Sequence, residues 1–263
     1  MHTMDEEKTI YSYYRMIPSR KIIYFGRFFH CLRIERITKS YLFSRSWIDS
    51  SAKDQPTPDF YNDRFHMMME FMRIDDCIGK ISGKKINNSF AKANIGAKKL
   101  LGKNYKKEMS GLLMYLPDTN DSKEFNYYGY INNFERVVLE HSSKVSQYRE
   151  NHPKCKVTIL FVSDESNNYV QVANKDDLCK EDDKNPILNG YKPHFQFNDS
   201  RFIEIIKKVQ ADYVIWFGFA KCVYNNGKKI KYPQVAIYDV NHIKYKGVDY
   251  NEELMFKVKN EVY

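Results

Sequence analysis

Three stretches of the chain are almost continuously apolar and are bounded by polar or turn-forming residues: Phe65 to Ile74 (FHMMMEFMRI), Lys156 to Ser163 (KVTILFVS) and Tyr213 to Ala220 (YVIWFGFA). Runs of that length predict buried strands. The methionines of the first run would also suit a helix, but the Pro58-Asp59 turn before it and Asp75-Asp76 after it favour a strand. Between the runs the pattern changes period. Ile131, Phe134, Val137, Val138, His141, Val145 and Tyr148 recur at spacings of three and four, which predicts an amphipathic helix over 131–151. Asn132 or Asn133 would cap it, and His152-Pro153 would stop it.

Similar spacing makes residues 10–39 mostly helical, and Asp199 or Ser200 opens a further helix to about Gln210. Tyr41 to Ile48 reads as a strand, followed by a polar loop that Pro56 and Pro58 keep extended. Tyr169 to Ala173 is a possible partner for the 156–163 strand, and Lys175 to Lys184 is a charged loop. Asn226-Gly227 lies between two β-prone segments, and both residues tolerate positive φ, so a hairpin is expected there. No internal repeat is visible. The order of elements predicts one mixed α/β domain over 1–263, a central mixed sheet flanked by helices with a C-terminal β-hairpin.

Composition narrows the class. Hydrophobic residues make up 43% of the 263 and aromatics 15%, which excludes a disordered or collagen-like chain. No apolar run approaches the ~20 residues that span a bilayer, and the acidic opening MHTMDEEKT is unlike a secretory signal, so a soluble cytoplasmic protein with no membrane partner is expected. The five cysteines are scattered with no C-x-x-C pair, and the histidines form no H-x-x-x-H, which argues against a disulfide framework or a zinc site.

Charge changes the picture more. The net charge is +9, and nine lysines lie between Lys80 and Lys107 with no acid among them. That insertion, 80–107, therefore carries the whole excess. Either it is a solvated face, or Lys84, Lys85, Lys98, Lys99, Lys106 and Lys107 form an arm for a nucleic-acid backbone, where clustered lysines release counterions.

Glu70 is the odd residue of the first strand, because an ionised carboxylate buried without a partner is very costly. Alternation puts His66, Met68, Glu70 and Met72 on one face. A cation from a neighbouring strand would neutralise Glu70, and so would Mg²⁺ or Mn²⁺ held jointly with Asp59. Asp59 itself serves equally as a turn former after proline. Asp164-Glu165, ending the 156–163 strand, are read as capping the next turn.

Pro58-Asp59 followed by Glu70-Phe71-Met72 on a strand, then a helix and a buried strand, resembles the PD-(D/E)XK nuclease superfamily over roughly residues 20–165. The resemblance implies a restriction-endonuclease-like core, with Asp59 and Glu70 as metal ligands and catalytic residues of a Mg²⁺-dependent phosphodiesterase. Met72 stands where that family has lysine. Lys144, on the following helix with His141 and Tyr148, would supply the charge, so that Asp59, Glu70 and Lys144 make the catalytic set. Without such a substitute the chain would be a non-cleaving, nucleic-acid-binding relative. No nucleotide-binding or nucleophile-elbow motif offers another enzyme class.

Overall fold

The computed structural model describes residues 4–40, 46–49, 57–76, 80–81, 84–85, 126–174, 191–218, 222–225, 228–231 and 233–258. Its helices are α1 (Met4–Met16), α2 (Phe28–Lys39), α3 (Tyr127–Ser143), α4 (Val145–Asn151) and α5 (Ser200–Ile206). Seven strands form the main sheet: β1 (Ile22–Phe25), β2 (Ile48–Asp49), β3 (Phe60–Asn62), β4 (Met67–Ile74), β7 (Val157–Asp164), β10 (Tyr213–Gly218) and β13 (Val235–Asp239), in the order β1-β13-β10-β7-β4-β3-β2. Short pairs β5–β6 (Lys80–Ile81, Lys84–Lys85) and β11–β12 (Cys222–Asn225, Lys228–Lys231) stand apart, as does a three-stranded antiparallel sheet of β8 (Asn168–Gln171), β9 (Lys192–Pro193) and β14 (Met255–Val258).

The main sheet is mixed. β4, β7 and β10 run parallel, β3 and β13 flank them antiparallel, and β1 returns parallel to β13. Helices cover both faces, so the central strands are apolar on both sides, which is why the three runs show no alternation. Met68, Met72, Leu160, Val162, Val214 and Trp216 face one layer, where Phe134, Val138, Val145 and Tyr148 of α3 and α4 pack. Met67, Met69, Phe71, Ile159, Phe161, Ile215 and Ile237 face the other, against Ile10, Tyr14 and Ile34 of α1 and α2. Phe134 stacks on Trp216 at 4.6 Å between ring centroids, tying α3 to the sheet centre.

The mixed α/β class, the three buried strands and the antiparallel pairing of β11 with β12 stand as expected, while Asn226-Gly227 lie outside the described residues. Four expectations need correction. Residues 10–39 contain strand β1 between two helices, because IIYF supplies β-prone residues that pair with β13 before Gly26 turns the chain. Of the 41–48 strand only Ile48 is extended among the described residues, and it pairs with β3, a strand for which the sequence offered no signal. The segment near 169–173 does not partner β7; it joins the separate sheet with β14. The helix over 131–151 begins at Tyr127, capped by the Asn126 side chain accepting from the Gly129 N–H at 2.8 Å, and is broken at Lys144 into α3 and α4. No helix among the described residues is long and apolar enough to cross a membrane.

Candidate active site

The antiparallel register of β3 on β4 pairs Phe60 with Met69, which brings Asp59 alongside Glu70. The two acids are linked through the backbone. Phe71 N–H donates to Asp59 Oδ2 at 2.7 Å, and Asp59 N–H donates to Glu70 Oε2 at 3.2 Å. Glu70 sits in the middle of β4, only 4% exposed, on the face turned to α3 and α4. There its Oε1 accepts from His141 Nδ1 at 2.6 Å and from the Tyr148 hydroxyl at 3.0 Å. His141 and Tyr148 lie seven positions apart, two helical turns, so both reach the same carboxylate across the Lys144 break.

No lysine or arginine of a neighbouring strand reaches Glu70 among the described residues. Three donors, from a helix imidazole, a helix phenol and a backbone amide, replace the water it loses on burial. The Tyr148 hydroxyl is held well above its ordinary pKa, first by burial and then by the Glu70 charge beside it. His141 keeps a quarter of its side chain exposed, so its ring is fixed on the inside and reachable from outside.

The remaining site residues are less gathered. Met72 is buried in the core at 2% exposure, one face-repeat from Glu70. Lys144 is half-buried at the α3–α4 junction, where its N–H donates to the His141 carbonyl, and its ammonium group makes no hydrogen bond or ion pair among the described residues. Lys84 and Lys85 form β6, while Lys98, Lys99, Lys106 and Lys107 lie outside the described residues.

The donor set bears on the expected cation. An ionised carboxylate offers about four lone-pair sites, and three on Glu70 are taken. Among the described residues no group of three His, Cys, Asp or Glu side chains is arranged to hold an ion. The Asp59–Glu70 pair as it stands does not fit a resident Mg²⁺ or Mn²⁺.

A second set of acids was not foreseen as a unit. At the carboxyl ends of β4 and β7, Asp164 accepts from Tyr130 at 2.6 Å, Trp216 Nε1 at 3.1 Å and the Ser166 N–H at 2.9 Å. That last bond is the turn-capping role expected for it. Asp76 accepts from Tyr169 and Asn167, and Asp199 from Tyr127 and, at 2.7 Å, from His194 Nε2. Glu165 pairs with Arg73 at 2.6 Å. The signal was present in the sequence as tyrosines and acids scattered over four segments, but only the folded chain pairs them. Comparison with protein-family models, with curated proteins and with solved structures finds no match for this chain.

Proposed function

We propose that this chain is a nuclease-like nucleic-acid-binding protein that does not cleave its ligand. The observation that carries this reading is the state of Glu70: buried, bonded to His141, Tyr148 and the Asp59 amide, and followed by Met72 in the core. An acid so partnered holds α3 and α4 on the sheet and needs no ion to explain it. Support for nucleic acid comes from the nine acid-free lysines of 80–107, whose charge suits a phosphate backbone. The reading draws on the resemblance to PD-(D/E)XK nucleases, whose elements would be α2, then β2, β3 and β4, and, beyond the β5–β6 pair, α3 and β7.

One observation favours a hydrolytic reading instead. His141 is oriented by a buried carboxylate through Nδ1 and a quarter exposed, the arrangement in which an imidazole takes a proton from water at its other nitrogen. Asp59 and Lys144 lie on the segments around it.

The test is titration and cleavage of labelled duplex and single-stranded DNA and RNA, with EDTA, Mg²⁺ or Mn²⁺. Binding without cleavage in every condition is expected. The affinity should fall with salt by about 0.9 log units per phosphate neutralised on duplex DNA, and Lys98, Lys99, Lys106 and Lys107 changed together to Gln should flatten that slope by up to about 3.6. Cleavage abolished by Glu70→Gln or His141→Gln would establish the hydrolytic reading. No binding to any of these ligands would refute both.

A further inference from the structure

We infer that the turn between β1 and α2, with the segment after β13, is a binding surface for single-stranded nucleic acid. This rests on the nucleic-acid reading above but uses none of the residues that carried it. Among the described residues six large hydrophobic side chains are exposed, and three of them, Phe28 at 52%, Phe29 at 79% and Tyr245 at 42%, gather here. Tyr24 meets Phe28 edge-on at 5.2 Å, Phe28 meets Phe29 at 5.5 Å, and Tyr245 lies 5.7 Å from Phe25.

Basic side chains interleave with these rings. Arg27, His242 and Lys244 line one shallow depression with Tyr24, Gly26 and Tyr245. The sequence carries no Asp or Glu from Lys21 to Ile34 or from Val240 to Val248. Two buried acids lie beneath this surface: Glu35, which accepts from the Tyr24 hydroxyl, and Asp239, 3% exposed, which accepts from His242 Nδ1 at 2.7 Å and lies 3.4 Å from His30 Nδ1. Asp239 orients the His242 imidazole, and both acids are shielded from solvent. Gly26, at φ +103, closes the turn so tightly that a Cβ there would come within 2.8 Å of the Asp239 carbonyl oxygen. The turn that lifts Arg27, Phe28 and Phe29 into solvent is thus built against the same aspartate.

Exposed aromatic faces flanked by arginine and lysine match the two needs of an unpaired strand. Bases stack on the rings whatever their identity, and phosphates meet the cations. A duplex hides its base faces and would gain only the charge. The occupant is accordingly a single strand, and the stacking leaves DNA and RNA to be separated by measurement.

The experiment is fluorescence anisotropy with fluorescein-labelled oligo-dT and oligo-rU of about twelve nucleotides, and a duplex of equal length, in parallel with sedimentation velocity. Phe28→Ala with Phe29→Ala should weaken single-strand binding about tenfold or more and leave duplex binding nearly unchanged. Both side chains are largely exposed, so the fold is not at risk. Arg27→Gln with Lys244→Gln should flatten the single-strand salt dependence by about 1.4, two phosphates at about 0.7 each. Single-strand binding that survives both pairs of substitutions would overturn this surface while leaving the nucleic-acid reading intact. Aromatic substitutions that convert a dimer to a monomer, with affinity unchanged, would assign the patch to a second copy of the chain and overturn it too. Wild-type protein that binds none of the oligonucleotides would remove both.

Discussion

Two carboxylates in this protein accept from the same pair of groups, an imidazole and a phenol. Glu70 takes His141 and Tyr148, and Asp199 takes His194 and Tyr127. They differ in enclosure. His194 is 2% exposed and its partner Asp199 fully buried, while His141 is a quarter exposed. At Asp199 the network also receives the Arg201 N–H and so caps α5. Identical chemistry thus serves one place as a sealed brace for the small sheet and α5. At the other it leaves an imidazole reachable from solvent. Enclosure, not residue type, separates the structural pair from the one able to meet a ligand.

The comparison breaks first under removal of the acids. Asp199→Ala should destabilise the protein by about 3–5 kcal/mol, because it strands a buried imidazole, a buried phenol and a helix cap together. Glu70→Ala should cost less, about 1–3 kcal/mol, since water reaches His141 in its place. Chemical denaturation measures both, and equal costs would erase the distinction.

A third buried acid sharpens the contrast through pH. Burial pushes Glu165 up to about 7, against the lowering pull of Arg73, with Asp75 and Asp164 adding repulsion. The folded state then binds a proton that the unfolded chain releases at about 4.5. The resulting stabilisation is complete below that pH and is lost as pH rises through 7, a change of about 3 kcal/mol. Glu165→Gln should remove this slope from a denaturation series between pH 4.5 and 7.5, and an unaltered slope would place the titration elsewhere.

Phenols give a smaller effect. Tyr148→Phe should cost about 1 kcal/mol and Tyr127→Phe somewhat more, as the latter leaves its acid with no water to replace the donor. Finally, diethyl pyrocarbonate should modify His141 in the folded protein well before His194. Mass spectrometry of peptides reads the order directly, and simultaneous modification would show that the sealed site opens as readily as the exposed one.

The strands at the sheet centre were legible because burial on both faces writes itself as an apolar run, as in KVTILFVS and YVIWFGFA. The helix stripe was legible too, and it already placed His141 and Tyr148 on one face. Their partner was not, since a strand glutamate and a helix histidine 71 positions apart meet only through tertiary packing. The short strands β1 and β3 were missed for a related reason. Each is four residues or fewer, and so short a segment has no period to read; pairing makes it a strand. The aromatic surface escaped because Phe28 and Phe29 look like core until the turn at Gly26 points them outward.

The pairing of β1 with β13 has a consequence for synthesis. Among the described residues, Ile22 through Phe25 have one sheet neighbour, Val235 through Tyr238. As the chain emerges from the ribosome, β1 must wait for the 213 positions that separate Ile22 from Val235 before it has this ladder to join. Contacts so distant in sequence close slowly and late. The turn after β1 packs tightly against Asp239, so the aromatic surface is complete only once β13 is in place beside it. A chain released early would keep its central strands but present no such platform.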